Sequence, residues 1–130
     1  MSDLLHVEVV SADRLVWSGE ATRVIARTTE GDVGILPNHA PLLSLLVDGV
    51  VDVLTAEDET WVAAVSAGFL SVANNRVSVL AEYAEASHEI DLEKARQDLE
   101  RAQAAGENDD TAAEAVRRAE ARIRAAERVT

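Results

Sequence analysis

The sequence contains no cysteine, which excludes disulfide bonds and thiolate metal sites and fits a reducing compartment. Aromatic residues make up only 3% of the 130 residues, so a core has to be built from Val, Leu, Ile and Ala. The apolar runs are far shorter than the roughly 20 residues that a membrane-spanning helix needs. The N-terminal residues MSDLLHVEVV have no basic region ahead of the apolar run. We therefore expect neither a membrane span nor a signal peptide.

Basic residues are scarce and unevenly distributed. The chain has 12 Lys and Arg against 24 Asp and Glu, a net charge of −12. Phosphate backbones and anionic lipid repel such a chain, so we expect no nucleic-acid partner and no direct lipid binding. Residues 1–88 hold 4 basic and 13 acidic residues (net −9), and residues 89–130 hold 8 and 11 (net −3). This difference indicates a chain of two parts.

The sequence also lacks a recognisable catalytic set. Its histidines, His6, His39 and His88, do not share the spacing of metal ligands. No G-x-S-x-G, P-loop or G-x-G-x-x-G motif occurs, and no carboxylate pair is visibly set in a cleft. We therefore expect a non-enzyme that has no metal and no obligatory cofactor.

The first part of the chain, residues 1–86, alternates apolar and polar residues with the period of a β-strand. Short segments rich in Val and Leu, among them TRVIART, WVAAVSA, FLSVA and RVSVLAEY, are separated by turn signals. Asn74 and Asn75 suit a two-residue hairpin whose central residues take positive φ. The pattern predicts an antiparallel β-sandwich of about eight to ten strands.

The second part, residues 87–130, has the period of packed helices. Asp91 is expected to cap a first helix over 91–105, which Gly106 ends, and Thr111 to Glu114 form a capping box that opens a second helix over 111–128. Together the helices predict an antiparallel hairpin. The apolar seam positions are Leu92, Ala95, Leu99 and Ala102, followed by Ala112, Val116, Ala119, Ile123 and Ala126. Because this seam is mostly Ala, it buries little area, and the hairpin should need the sandwich or a partner to stay folded.

The stretch GDVGILPNHAPLL, residues 31–43, has two interpretations. As a structural corner, its Gly and Pro residues shape a tight backbone while Ile35 and the leucines Leu42, Leu43, Leu45 and Leu46 fill the sandwich. As a docking edge, it presents Asp32 and His39 outside the packed part. We expect the leucines and Ile35 to be mainly structural.

Four stretches resemble the ε subunit of bacterial F-type ATP synthases. These are SAD near the N-terminus, EGDVGILPNHAPLLSLLVDG, SAGFLSVANNRVSVLAEYA and IDLEKA. They follow one another in the order of that family and cover nearly the whole chain. The motif G-x-x-G-I-x-P-x-H-A-P-L-L is long and specific.

The resemblance implies a non-catalytic rotor subunit at the foot of the central stalk, peripheral on the cytoplasmic face of the plasma membrane. In the family, the sandwich binds the γ subunit and rests on the polar loops of the c-ring. Ser11 and His39 occupy motif positions that lie toward γ. Glu30 and Asp32 occupy the acidic loop that meets the c-ring, where a basic loop would complement them.

The resemblance also implies a mobile hairpin that, when extended, makes transient contact with the acidic face of the catalytic α and β subunits and inhibits ATP hydrolysis. The second helix supplies five arginines for such a contact: Arg117, Arg118, Arg122, Arg124 and Arg128. The alternative is a solvated helix face, because Glu114–Arg118 and Glu120–Arg124 are also ordinary i,i+4 pairs. The residues leave both interpretations open.

ATP is a further ligand that the resemblance suggests. Some family members bind it through the motif (Ile/Leu)-Asp-x-x-Arg-Ala, which is IDLEKA here, with Lys94 in place of the arginine and its bidentate fork. The linker between the helices is also shorter than in ATP-binding relatives. The positions that would contribute are Glu85, Ile90, Asp91, Lys94, Ala95, Arg101, Arg118 and Arg122. A capped helix with surface charges is the simpler interpretation, and a free-standing nucleotide-sensing β-sandwich is the alternative function.

Overall fold

The computed structural model of the chain describes residues 3–105 and 110–128. In these residues, strands come first and helices last, which confirms a β-sandwich followed by a two-helix hairpin. The strands are β1 (Leu5–Val10), β2 (Leu15–Thr28), β3 (Gly31–Ile35), β4 (Leu42–Leu46), β5 (Gly49–Thr55), β6 (Thr60–Ala73) and β7 (Arg76–Ala86). A 3₁₀ turn (Ser87–Glu89) leads to helices α1 (Leu92–Ala104) and α2 (Asp110–Arg128).

The described residues form seven strands, so the prediction of eight to ten was too high. The physical reason is that some strands pass through both layers of the sandwich. WVAAVSA and FLSVA are not separate strands but parts of β6, which is 14 residues long. Its first half pairs with β5 and its second half with β4. The 14-residue β2 behaves in the same way, pairing first with β1 and then with β3 and β5.

The pairings divide the sandwich into two layers. The helix-side layer contains β3, the second half of β2, β5 and the first half of β6. The opposite layer contains the first half of β2, β1, the second half of β6 and β4, while β7 follows β6 through both layers. Asn74 and Asn75 join β6 to β7 with φ of 51° and 62°, as the sequence predicted.

One pairing departs from the predicted antiparallel arrangement. β1 runs parallel to β7, in register from His6↔Arg76 to Val10↔Leu80, and antiparallel to β2 on its other side. No turn joins β1 to β7, so nothing requires the two strands to run in opposite directions. β1 therefore closes the opposite layer between two long strands.

The core between the layers is aliphatic, as the shortage of aromatic residues required. Leu5, Ile35 and Leu70 are its largest fully buried side chains, among many valines. Trp17 and Trp61, the two tryptophans of the chain, stack with ring centroids 5.2 Å apart and pack against this core. The fluorescence of both tryptophans therefore reports on the sandwich rather than on the helices.

The hairpin follows the predicted seam. The Asp91 side chain accepts a hydrogen bond from the Lys94 backbone N–H at 3.1 Å, which confirms it as the N-cap of α1. α2 begins at Asp110, one residue before the Thr111 of the predicted capping box, and Gly106 lies outside the described residues. The buried alanines of the seam are Ala95, Ala102, Ala112, Ala119 and Ala126.

α2 also has a second buried face, which the seam pattern did not predict. Ala121 and Ala125 pack on Val62 and Ala64 of β6, with Ile90 and Val50 at the margin. The hairpin thus lies folded against the outer surface of the helix-side layer. Small side chains on α2 let the helix approach the sheet closely, and this contact supplies the support that an alanine-rich hairpin needs.

Candidate functional site

The outer surface of the opposite layer carries a row of apolar side chains across five strands. Register places Leu45 of β4 beside Phe69 of β6, Phe69 beside Leu80 of β7, Leu80 beside Val10 of β1, and Val10 beside Leu15 of β2. Leu45, Phe69, Leu80 and Leu15 are 44–57% exposed. We call these five residues the apolar row. A contiguous exposed set of this kind is typical of a protein interaction surface.

The apolar row corrects the expectation that the leucines fill the sandwich. Ile35 and Leu46 are buried and Leu42 packs on the core, but Leu43 is 71% exposed and Leu45 is 52% exposed. The reason is the two-residue period of β4, which turns Leu43 and Leu45 outward when Leu42 and Leu46 face the core. A run of four leucines around one serine conceals this alternation in the sequence.

Ser11 lies in the turn at the end of β1, next to the apolar row. Its hydroxyl donates to Asp13 Oδ1 at 2.7 Å, and the residue is buried. This hydrogen bond, together with the backbone N–H of Asp13 and the nearby charge of Arg14, holds the pKa of the Asp13 carboxyl below its usual value. In this structure Ser11 orders the turn.

His39 lies at the other end of the same layer. The preceding Asn38 takes φ of 70°, and its backbone N–H donates to Asn75 Oδ1 at 2.6 Å, which fixes the loop against the β6–β7 hairpin. The Asn38 side chain also donates to Asp3 at 2.9 Å. Ser11 follows the last residue of β1 and His39 sits near its first, so they are separated by about the length of that strand.

Glu30 and Asp32 lie in and beside the turn between β2 and β3. Glu30 is exposed at the turn, and its backbone N–H donates to the Thr28 hydroxyl at 3.1 Å. Asp32 accepts from Arg27 Nε at 3.0 Å and is more than half exposed. The turn is therefore ordered. The Glu30 carboxylate has no ion-pair partner among residues 3–105 and 110–128, and that of Asp32 is partly neutralised by Arg27.

α2 and β7 are joined at a partly buried ionic contact that we call the clamp, formed by Tyr83, Glu85, Asp98 and Arg122. Arg122 Nε and the Tyr83 hydroxyl both donate to Glu85 Oε1, each at 2.8 Å. Burial and this hydrogen bond raise the pKa of Tyr83 above its usual value. Burial acts to lower the pKa of Arg122, but the hydrogen bond and charge of Glu85 outweigh it and the pKa is raised.

Asp98 completes the clamp from α1; it accepts hydrogen bonds from Arg122 and Lys94 and forms an ion pair with Arg101. Arg122 Nη1 and Lys94 Nζ lie 3.2 and 3.3 Å from its Oδ2, and Arg101 Nη1 lies 3.6 Å from its Oδ1. Neither Asp98 nor Tyr83 was predicted from the sequence as a functional residue. The i,i+4 and i,i+3 spacing from Lys94 and to Arg101 was the signal available for Asp98, but its contact with α2 depends on tertiary packing.

A groove of about 480 Å³ opens beside the clamp between the helices. Of the residues predicted for ATP, Arg101, Arg118 and Arg122 line it, whereas Ala95 is buried and Ile90 packs beneath α2. The rest of the lining is mainly alanine, with Tyr83 and Asp98. The structure therefore brings the arginines together but engages Glu85, Asp91 and Lys94 in contacts within the chain.

The other arginines of α2 also face the sandwich. Arg117 Nε lies 3.4 Å from Asp48 Oδ2, and Arg128 Nη2 lies 2.9 Å from Asp52 Oδ2. Asp52 is buried, and its Oδ1 has no hydrogen-bond partner among the described residues. The Arg118 guanidinium lies 5.4 Å from the centre of the Tyr83 ring, and Arg124 is exposed near Asp52.

Two further observations concern residues 3–105 and 110–128. These residues contain no group of three or more His, Asp or Glu side chains arranged to hold a metal ion. Neither of the described helices has the length and apolar character to cross a membrane.

Comparison with known proteins places the sandwich in a family. Residues 4–87 match the family model described as the ATP synthase, Delta/Epsilon chain, beta-sandwich domain. Over 125 residues the chain is 54% identical to an ATP synthase epsilon chain of Streptomyces avermitilis, covering 96% of this chain and 97% of that one. An ATP synthase epsilon chain of Rhodococcus jostii is 49% identical over 125 residues, covering 95% and 97%.

Solved structures share the fold at lower identity. A chain in the cryo-EM structure of the Euglena gracilis mitochondrial ATP synthase (OSCP, F1 and c-ring) has a TM-score of 0.73 at 22% identity, covering 97% of this chain and 79% of that one. A chain in the central stalk and c-ring structure of the Tetrahymena thermophila enzyme has a TM-score of 0.55 at 13% identity, covering 68% and 71%. The likeness to these structures concerns the fold.

Proposed function

The chain belongs to the family of ATP synthase ε chains and is thus a non-catalytic subunit of ATP synthase. From this premise we propose that it is a rotor component of a proton-translocating F-type enzyme. In this role it joins the γ subunit to the c-ring and restrains ATP hydrolysis through its hairpin. It works as a peripheral subunit on the cytoplasmic face of the plasma membrane, held there by its partners rather than by lipid.

The apolar row is the observation that carries the proposal of γ binding. Leu45, Phe69, Leu80 and Leu15 are each about half exposed on one sheet surface, opposite the surface that the helices cover. Burying such a row against a partner removes apolar area from water, at about 25 cal/mol per Å². Phe69 is the aromatic member of the row, with Leu45 on one side and Leu80 on the other, and aromatic residues are enriched at the cores of protein interfaces.

The positions of Ser11 and His39 are compatible with the same partner. They bracket the opposite layer at the two ends of β1, so a subunit that covers the apolar row can reach both turns. Ser11 would act through the shape of its turn, because its hydroxyl is occupied by Asp13. His39 would act at the rim of the interface.

The β2–β3 turn is the proposed contact with the c-ring. Glu30 and Asp32 present acidic groups there, which suit a basic polar loop. Asp32 already pairs with Arg27, so Glu30 is the stronger candidate for an ion pair with a partner.

The hairpin is closed on the sandwich in this structure, and inhibition would require it to open. Arg117, Arg122 and Arg128 form ion pairs here, and Arg118 lies over Tyr83. When α2 leaves the sheet, these groups lose their partners on the sandwich and become fully available to the acidic surface of the catalytic subunits. The ion pairs of the closed form thus compete with the inhibitory contact.

ATP as a regulatory ligand stays a prediction of the family resemblance. The groove between the helices has room for phosphates, but Arg122 would first have to leave Glu85 and Asp98. Calorimetric titration of the chain with Mg-ATP tests it. Saturable heat at sub-millimolar concentration would support a nucleotide sensor, whereas no heat would fit a groove in which Arg122 is already paired with Glu85 and Asp98.

The proposed γ contact is tested by binding of the purified γ subunit to three forms of the chain: wild type, Phe69→Glu and Thr60→Glu. We expect Phe69→Glu to weaken binding about thirtyfold or more, because a charge replaces the aromatic contact between Leu45 and Leu80. Thr60→Glu adds the same charge at an exposed position at the start of β6 and should bind as wild type does. Wild-type affinity in Phe69→Glu, with an unchanged thermal midpoint, would overturn the proposed surface.

A further inference from the structure

Three basic side chains of the hairpin surround the carboxylate of Asp98. Its two carboxylate oxygens lie within 3.6 Å of nitrogens from three cations, Lys94, Arg101 and Arg122. Two of these cations come from α1, and Arg122 comes from α2, so the carboxylate links the two helices. Its side chain is 27% exposed and that of Arg122 is 13% exposed, which limits screening by solvent.

Asp98 also faces the groove between the helices, and it does so with an unbalanced set of charges. Among the described residues that line the groove, Arg101, Arg118 and Arg122 are the cations and Asp98 is the carboxylate. The remaining lining is mostly alanine and cannot compensate positive charge. Glu85, which does not line the groove, pairs with Arg122. Without Asp98, this single carboxylate would remain for three guanidinium groups beside a largely apolar space. That combination favours phosphate, since guanidinium groups bind its oxygens in pairs.

We propose that Asp98 serves as a built-in anion of the groove, in the position that an external phosphate would take between Arg101 and Arg122. The hairpin therefore closes on the sandwich without a ligand. Removing the carboxylate converts the groove into a site for polyphosphate. The proposal concerns the isolated chain and does not depend on docking to γ or to the c-ring.

The physical basis is that an attached anion is always at high effective concentration. Asp98 is fixed on α1 within reach of Arg122. Closing the helices therefore does not require that a freely diffusing ligand be immobilised. A free phosphate would have to displace this carboxylate before it could bind Arg122. The seam between the helices is alanine-rich and contributes little, so ionic contacts have a large share in holding the helices together.

Hydrogen exchange, followed by mass spectrometry, tests the proposal on the full chain. The variants are Asp98→Asn and, as a matched control, Glu100→Gln, which removes one exposed carboxylate from the same helix. In Asp98→Asn we expect exchange in α1 and α2 to rise about tenfold, and in Glu100→Gln we expect no change. Tryptophan fluorescence, which reports on Trp17 and Trp61, verifies that the sandwich is intact in each variant.

Adding a phosphate ligand distinguishes a built-in anion from an ordinary helix contact. Millimolar inorganic tripolyphosphate should restore protection in Asp98→Asn and leave the wild type unchanged. ATP, in a separate arm, should act as tripolyphosphate does, because the recognised chemistry is the phosphate chain.

Four results would overturn the proposal. The first is exchange in Asp98→Asn equal to that in Glu100→Gln. The second is loosening that tripolyphosphate does not reverse, since Asp98 would then be an ordinary contact between helices. The third is equal protection of the wild type by tripolyphosphate. The fourth is rescue by ATP alone, which would assign recognition to the nucleoside.

Discussion

Arg122 Nε donates to Glu85 Oε1 across 2.8 Å and so connects α2 to β7 through two residues that are 37 positions apart in the chain. Both side chains are largely buried, at 13% and 17% exposure. The Tyr83 hydroxyl donates to the same oxygen. The closed hairpin thus includes a polar contact in which the pKa of Tyr83 is raised, so the contact should depend on pH.

Tyr83 is the only tyrosine, so absorbance near 295 nm titrates it alone. Burial and the Glu85 hydrogen bond raise its pKa above the usual 10.0, so the neutral phenol is the form that the folded state favours. Its contribution is complete below pH 10 and is lost as the pH rises through the folded pKa. We expect Glu85→Gln to lower the pKa of Tyr83 and Glu82→Gln, at an exposed neighbour, to change it less. An unchanged midpoint in Glu85→Gln would contradict this account.

The ion pair between Arg128 and Asp52 should contribute to docking of the hairpin. Asp52 is buried and Arg128 is half exposed, so Arg128→Ala leaves a carboxylate without its partner. We expect about 1–2 kcal/mol less stability of the docked hairpin, measured by hydrogen exchange of α2.

Asp52→Asn combined with Arg128→Ala isolates the pair. The double variant should be less destabilised than the sum of the single variants, because the stranded charge is gone. Additive effects would mean that the two side chains do not interact in solution.

Gly68 lies where β6 passes between layers, and its backbone touches β7 too closely for a side chain. A Cβ at this position would overlap the carbonyl oxygen of Leu80 and lie 2.7 Å from the Ala81 Cα. We expect Gly68→Ala to destabilise the sandwich by about 1–3 kcal/mol in urea unfolding. Gly34→Ala is the control, because a Cβ there meets nothing within 4 Å. Equal stability of the two variants would contradict the packing described for β6 and β7.

His39→Ala should weaken binding of the γ subunit by less than about tenfold, as expected of a residue at the rim of an interface. Folding should be unaffected, because Asn38 and Asn75 rather than His39 fix the loop. His88→Ala is the control, since His88 is exposed on the 3₁₀ turn. An affinity equal to that of the wild type in His39→Ala would remove His39 from the proposed contact.

Local sequence patterns predicted much of the fold but few of the ionic contacts that hold the helical hairpin. The β6–β7 turn was predicted from Asn74 and Asn75, and the N-cap of α1 was predicted from Asp91. Both predictions succeeded because turn and cap preferences depend on the neighbouring backbone alone. Leu43 and Leu45 were assigned to the core because four leucines around one serine do not reveal which side a strand exposes. Asp98 could be seen as a partner of Lys94, but its contact with Arg122 exists only once two helices meet.

The parallel pairing of β1 with β7 has a consequence for how the protein is made. About 70 residues separate paired positions such as Val7 and Val77, so β1 emerges from the ribosome long before that partner exists. β2 is available early, but one side of β1 keeps its backbone groups unpaired until β7 has been synthesised. Chains interrupted before about residue 80 would therefore present an open strand edge to other nascent chains, and a chaperone that covers this edge would protect them.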